Sequence, residues 1–533
     1  MNYKVCILAA GAGTRMGELT NHVNKAILPV NFKAVISHII EKFPAEVEFV
    51  VAVGHKKETV IDYLALAHPD RKITFVEIDK IVGPGTGPGY SLLQCRAELQ
   101  SPFILFTADT IVLENIPEPK ENWFGIAPVT ETEPYCTVRI ENNLIYQMDD
   151  KIKNDNKLAW IGLSGIHDYE DFFTSLETNK ETTKGEIQLS NGHKKLISKR
   201  LVPVNFTWFD TGTLQNYEST NKNFSGGGNK FDYSKGKGDE FLYFVGDRVI
   251  KFYTDITSTN NRCLRANNHL KDLCPAIDGQ KGNFYSYKKI KGETLYSVLN
   301  VKTFKDFLQW VKTNLWKKAE LDETGTNDFK KSCRTFYQDK TDKRLRAFYE
   351  KTGLEDGPNL INGLAVPPLY ELLAQIDWDN LTDGIPSNFH GDLQFDNILV
   401  TRDPVSNLEK FVLIDWRQDF GGLTQVGDLY YDLAKLYGGT IMSHQLIKEG
   451  MFSFDMSGQN IYFNFFLKHD LAEAREEYEL FLQRNNFDLK KVKLITALIF
   501  LNMSPMHRHP FDLTLYHLGK SMLYKVLRGN SVA

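Results

Sequence analysis

The stretch Lys4-Val-Cys-Ile-Leu-Ala-Ala-Gly-Ala-Gly-Thr-Arg15 decides how the first half of the chain folds. Residues 4–10 are an unbroken apolar run of strand length, and Gly11 and Gly13 then let the backbone curl sharply. A curl of this kind turns successive N–H groups toward one point, where phosphate oxygens can sit. Outward from it the pattern alternates. Residues 35–42 have helical spacing, 47–53 read as a buried strand, 56–66 as helix and 73–78 as strand. Helix at 90–99 and strand at 102–107 follow, closing on Ala108-Asp109. Strands alternating with helices of this length predict an α/β fold with a mostly parallel, doubly wound sheet. Ligands of such sheets sit at the carboxyl ends of the strands, where Gly11–Arg15 and Asp109 both fall.

The 533 residues leave room for two or three domains of about 100–200 residues each. Hydrophobic content of 42% against 24% charged is ordinary for globular protein, so each can bury a core. With 63 basic and 67 acidic residues the net charge is −4, and no basic run stands out. That excludes the usual nucleic-acid binder, so a nucleotide is expected as substrate and not as polymer. Six scattered cysteines show neither a CxxC pair nor metal-like spacing and predict free thiols in a reducing compartment. The apolar opening is too short for a signal segment, and no run of ~20 apolar residues could span a membrane. A cytoplasmic protein is expected.

The pattern changes near residue 224. Phe224-Ser-Gly-Gly-Gly-Asn-Lys230 has the composition of a flexible linker, predicting domains at 1–222 and 232–533 joined by 223–231. Two β-type runs, 241–245 and 248–253, flank Gly246-Asp247 and predict a tight hairpin. From about 296 onward helical spacing dominates, broken by strands and loops at 386–416. A small β-rich lobe (232–292) followed by a large helical one (293–533) is thus expected.

Arg15 and Lys25 supply charge that can bridge a triphosphate and a phosphorylated second substrate, and Asp109 at a strand end can hold Mg²⁺. Asn24-Lys25-Ala-Ile-Leu-Pro29-Val, Thr107-Ala-Asp109, Gly185-Glu186-Ile and Trp208-Phe-Asp210-Thr-Gly212-Thr complete an ordered set. With them, residues 1–222 resemble the sugar-phosphate nucleotidyltransferase family. The resemblance implies a Rossmann-like domain in which Gly11, Gly13 and Arg15 bind NTP phosphates. Lys25 would bind phosphates, the acceptor's included, and act with Arg15 in catalysis. Asp109 and Asp210 would coordinate Mg²⁺, and Gly85, Thr86 and Gly87 would flank the base and sugar. The family usually has proline before the lysine, whereas here Asn24 stands there.

In the second half, His390-Gly-Asp392-Leu-Gln-Phe-Asp-Asn397 precedes Leu413-Ile-Asp415-Trp416. An Asp five positions ahead of an Asn, with another Asp 18 residues on at a strand end, is a phosphoryl-transfer layout. Gly391 replaces the Arg of protein kinases, which points to a small-molecule acceptor. With Gly427-Asp428-Leu-Tyr-Tyr-Asp432, residues 232–533 resemble the aminoglycoside phosphotransferase/choline kinase family, implying a two-lobed, protein-kinase-like α+β fold. Asp392 would then be the catalytic base, Asn397 and Asp415 the Mg²⁺ ligands, and Lys251 the partner of the ATP phosphates. His390 is expected to brace its loop, and Asp428 and Asp432 to cap backbone donors. A kinase lysine is normally oriented by a helix glutamate, yet residues 260–273 contain none.

Together the resemblances imply a bifunctional enzyme. ATP would phosphorylate a hydroxyl of a small molecule, with a sugar or polyol favoured. A second NTP (CTP, UTP, GTP or dTTP) would then convert the ester to an NDP-activated compound. An amino alcohol with CTP, and a regulatory protein with one inactive domain, stay open as alternatives.

Overall fold

The computed structural model describes residues 3–224, 239–403 and 408–529. The predicted glycine linker beyond Phe224 lies outside them. The chain divides into two compact units. The first takes residues up to Asn229 together with 237–254 and 279–286, and the second takes 230–236, 255–278 and 287 onward.

In the first unit, β1 (Lys4–Ala9), β2 (Glu48–Val53), β3 (Ile73–Glu77) and β4 (Phe103–Thr107) pair parallel in the order β3-β2-β1-β4. Val5, Ile7 and Ala9 pack toward one layer and Cys6, Leu8 and Ala10 toward the other, so β1 is apolar throughout because it is covered on both faces. Helices α1 (Val35–Ile40), α2 (Lys57–Ala67) and α3 (Pro88–Gln94) connect the strands, a doubly wound arrangement. Among the described residues the sheet has nine strands, continued past β4 mostly by antiparallel pairings. The short strand β5 (Thr110–Val112) leaves this sheet and pairs antiparallel with β6 (Trp208–Asp210), setting Thr110 opposite Asp210.

The predicted hairpin forms as β7 (Glu240–Val245) and β8 (Arg248–Tyr253), with Val245 opposite Arg248 and Gly246 at φ 58°. The sequence break near 224 assigns it to the C-terminal domain. In the fold its Tyr243, Val245, Ile250 and Phe252 join the first unit's core around Tyr63, Leu64 and Leu66. Large aromatic and branched side chains on both strands cannot be left solvated, and α2 offers the matching apolar face.

The second unit is mainly helical. Helix α4 (Ile256–Asn267) opens it, capped by Asp255. Strands β9 (Ile398–Arg402) and β10 (Glu409–Leu413) pair antiparallel and carry the motif residues at their ends. Helix α5 (Leu429–Ile441) packs against Leu489–Met503, itself packed on Phe511–Leu527. The six cysteines are free and buried. Among the described residues no helix is long and apolar enough to cross a membrane.

Candidate functional sites

After β1 the chain turns at Gly13, whose φ of 67° suits glycine, and Gly13 O accepts from Met16 N at 2.9 Å. Asn24 then fixes the approach to Lys25. Its amide donates to Ala9 O at 2.9 Å and His55 O at 2.7 Å, while its Oδ1 accepts from Ala26 N at 2.9 Å. Proline could supply neither donor, so the departure from the family pattern ties the lysine loop to the ends of β1 and β2. Lys25 Nζ lies 2.5 Å from Asp109 Oδ2.

Asp109 and Asp210 come together because β5 follows Asp109 and β6 ends at Asp210. Thr211 N donates to Asp109 O at 2.9 Å, closing the pair. Asp210 accepts from Gly212 N at 2.7 Å, Asn216 Nδ2 at 2.6 Å and Tyr135 Oη at 3.1 Å. A Cβ on Gly212 would stand 3.0 Å from Asp210 Oδ1, 3.3 Å from Asp109 Oδ2 and 3.6 Å from Arg15 Nη2. Two carboxylates and a guanidinium thus open onto one space that only glycine leaves empty. Burial raises the Asp109 carboxyl, but the Lys25 ammonium, Thr107 and Arg15 outweigh it and hold it low. Asp210 is raised by burial and then by the charge of Asp109. Two hard oxygen donors beside each other suit Mg²⁺, which takes one or two carboxylates and completes its shell with water and phosphate oxygens. A cleft of about 450 Å³ adjoins Asp210, lined in part by Thr130, Glu131, Tyr135, Trp208 and Asn216.

The 83–87 loop packs on the Gly185 segment. Gly85 N donates to Gly185 O at 2.9 Å, and Ile187 N donates to Thr86 O at 2.7 Å. At Gly87, with φ 110°, a Cβ would lie 2.7 Å from Glu186 Cβ and 3.0 Å from Ile187 O. Gly85, Thr86 and Gly87 are thereby held at the carboxyl side of the sheet.

In the second unit the ladder sets Ile398 opposite Leu413, so Asn397 and Ile414 meet: Ile414 N donates to Asn397 O at 2.9 Å. Asn397 Nδ2 donates to Asp392 O at 2.8 Å, which leaves its Oδ1 as the atom suited to a cation. Asp415 adopts φ 60°, a left-handed conformation that costs a non-glycine residue about 1 kcal/mol or more and clusters at functional sites. One amide oxygen and one carboxylate are donors of the kind Mg²⁺ accepts alongside nucleotide phosphates.

His390 is buried, with Nε2 donating to Ile414 O at 2.9 Å and Nδ1 accepting from Asp392 N at 3.2 Å. Burial pushes its imidazole down to about 3, so it braces the loop in neutral form. Asp432 accepts from His390 N and Gly391 N, each at 2.7 Å, so this carboxylate clamps the loop and not its own helix. Asp428 does cap, accepting from Tyr430 N at 3.1 Å and also from Ile385 N and Tyr337 Oη. Asp392 Oδ1 lies 2.7 Å from Lys435 Nζ. Burial raises this carboxyl, but Lys435, His390 and Arg417 outweigh it and bring it to about 2.

In place of a glutamate, α4 presents arginines. Arg262 donates to Trp416 O, and the fully buried Arg265 donates to Phe389 O and Arg417 O. Lys251 is buried on β8, which clusters with the first unit, whereas Asp392, Asn397 and Asp415 belong to the second.

Sequence reasoning missed Tyr135, Asn216, Lys435, Arg417 and Arg265. Lys435 carried one signal, its i+3 spacing from Asp432 on a helix.

Residues 5–115 match the family described as MobA-like NTP transferase domain. A bifunctional protein GlmU of Methanococcus vannielii is 31% identical over 231 residues, 41% of this chain and 54% of that protein. The UTP–glucose-1-phosphate uridylyltransferase AglF of Haloferax volcanii is 29% identical over 113 residues, 21% of this chain and 44% of that protein. The chain spans about half the length of these curated relatives. A solved UDP-glucose pyrophosphorylase complexed with UDP-glucose superposes with a TM-score of 0.38 at 21% identity, over 42% of this chain and 99% of that one.

Proposed function

We propose that the chain is a bifunctional transferase. In this reading the second unit phosphorylates a hydroxyl of a small molecule with ATP. The first unit transfers a nucleotidyl group from an NTP to the resulting phosphate. The observation that carries it is the convergence of Asp109, Asp210 and Arg15 on the space above Gly212, with Lys25 on Asp109. A phosphate-ester oxygen attacks the α-phosphorus, the bond to the β-phosphate breaks, and pyrophosphate leaves. No protein nucleophile is needed, only alignment and positive charge, which Arg15 and Lys25 supply. Mg²⁺ held by Asp109 and Asp210 would neutralise the phosphates. The name of the AglF relative specifies UTP and glucose 1-phosphate, which favours a sugar phosphate as acceptor here. For phosphotransfer, Asp392 takes the acceptor proton, and Asn397 and Asp415 hold Mg²⁺. Products of this class donate sugars or alcohols to surface glycans, so a role in envelope or capsule synthesis is part of the proposal.

The test is mass spectrometry of small molecules after incubation with Mg²⁺, the five NTPs and a pool of sugars, polyols and amino alcohols. A new mass equal to acceptor plus phosphate plus nucleoside monophosphate is expected. Failure to form either a phosphate ester or a nucleotidyl product from any member, with nucleotide binding intact, would sink the proposal.

A further inference from the structure

The loop bearing Asp392 is surrounded by positive charge that the reading above does not use. Arg417 N donates to His390 O at 3.0 Å, and a Cβ on Gly391 would stand 2.6 Å from Arg417 Cβ, so glycine is what lets these segments touch. The Arg417 guanidinium carbon lies 5.0 Å from the centroid of Phe336, and Lys340 Nζ lies 4.0 Å from the same centroid. Two basic side chains therefore share one ring. Lys340 Nζ is also 5.7 Å from the ring of Tyr431, one helical turn before Lys435, whose ammonium holds Asp392. Arg344 follows Lys340 by one turn on the helix Lys340–Thr352. The turn before it, Thr335–Asp339, is π-helical, a widening that recurs at functional sites because it re-aims side chains.

The cluster is not neutralised. Among the described residues no carboxylate lies within 4.0 Å of Lys340, Arg344 or Arg417, and Arg417 Nε is buried without a hydrogen-bond partner. Burial, and then the charges of Arg417, Lys435 and Arg344, pull the Lys340 ammonium well below the usual lysine range, and Asp392 opposes them. Gathering like charges around one loop is unfavourable unless an anion completes the set. The nucleotide is the wrong candidate, because its phosphates are assigned to the Mg²⁺ that Asn397 and Asp415 would hold. The surplus charge gathers instead around Asp392, the group that meets the acceptor hydroxyl.

We propose that the acceptor phosphorylated in the second unit carries an anionic group of its own, a carboxylate or a phosphate, held by Lys340, Arg344 and Arg417. The inference rests on the phosphotransfer reading. In the step, the acceptor oxygen bonds to the γ-phosphorus, the bond from that phosphorus to ADP breaks, and the hydroxyl proton passes to Asp392.

The experiment uses the full chain with ATP, Mg²⁺ and matched acceptors: neutral polyols, the corresponding carboxylates such as glycerate and gluconate, and monoesters such as glycerol 3-phosphate. ADP release and ester mass are followed. Turnover of carboxylates or of monoesters but not of the neutral members is expected, and which of the two reacts identifies the anion. Arg417→Gln and Lys340→Met should raise KM for that acceptor about ten- to a hundredfold and leave KM for ATP unchanged, with Arg417→Lys intermediate. Thermal unfolding of each variant separates loss of fold from loss of binding. A preference for neutral acceptors, or variants that raise only KM for ATP, would overturn the inference and leave the phosphotransfer reading standing. No ADP from any acceptor, with ATP still bound, overturns the phosphotransfer reading and the inference with it.

Discussion

Asp392 held down to about 2 and His390 pushed down to about 3 give the loop a carboxylate and a neutral imidazole throughout the neutral range. For Asp392, burial raises the carboxyl and Lys435 more than reverses it. Its folded value lies below the unfolded value of about 3.9. The stability it contributes is therefore complete above about pH 4 and is lost as pH falls toward 2. For His390, burial lowers the imidazole below an unfolded value of about 6.5. The unfolded chain then binds the extra proton first, so stability falls as pH drops from about 6.5 toward 3. Lys435→Met removes the charge that keeps Asp392 ionised. The acid limb of kcat/KM for phosphotransfer should then move upward by about one unit or more, from below pH 4. An unmoved limb in a folded variant would show that Asp392 is not the base being titrated. Asn24 gives a second prediction at this scale. Asn24→Leu leaves Ala9 O and His55 O without their donor and Ala26 N without its acceptor. A loss of about 2–3 kcal/mol in urea unfolding is expected, together with slower nucleotidyl transfer as Lys25 loses its anchor.

At the scale of elements, what was legible followed from local rules. Residues 47–53 and 102–107 are apolar on both faces and became the buried parallel strands Glu48–Val53 and Phe103–Thr107, because their neighbours in the sheet are covered too. The hairpin at 246–247 was legible from its turn, but its destination was not. Which core receives Tyr243 and Phe252 depends on the apolar face of Lys57–Ala67, some 180 residues earlier, and no short-range pattern encodes that. The same holds inside the sites. Gly11, Asp109, Asp392 and Asn397 sit in motifs, whereas Tyr135, Asn216, Arg417 and Lys435 reach the chemistry only through tertiary packing. Asp432 was legible as a polar helix-start residue, yet its carboxylate serves the backbone of residues 390 and 391, which a local capping rule cannot foresee. The 83–87 loop offers a test of packing between segments. Gly87→Ala forces a Cβ against Glu186 Cβ and Ile187 O at a φ of 110°. We expect a loss of about 1–3 kcal/mol and a higher KM for the NTP, with phosphotransfer unchanged. Wild-type KM in a variant of lowered Tm would separate the loop's packing from nucleotide binding.

At the scale of the whole molecule, the two constellations differ in kind. Arg15, Lys25, Asp109 and Asp210 lie entirely within the first compact unit, and Asp392, Asn397, Asp415 and Lys435 entirely within the second. Each is built on its own ladder, one joining Thr110–Val112 to Trp208–Asp210 and the other joining Ile398–Arg402 to Glu409–Leu413. A change that removes one charge without altering side-chain volume should act on one reaction alone. Asp109→Asn keeps the size of the side chain but weakens both the pairing with Lys25 and the donor set beside Asp210. Nucleotidyl transfer should fall about a hundredfold or more while phosphate-ester formation persists. Asp392→Asn should do the reverse, leaving pyrophosphate release from a supplied phosphate ester intact. Both variants are to be measured for ADP and pyrophosphate in the same preparation, beside wild type of matched thermal stability. Loss of both reactions in either folded variant would contradict two self-sufficient sites, since neither substitution touches a residue of the other constellation. The clean double dissociation would instead mean that the first unit needs from the second only the phosphate ester passed between them.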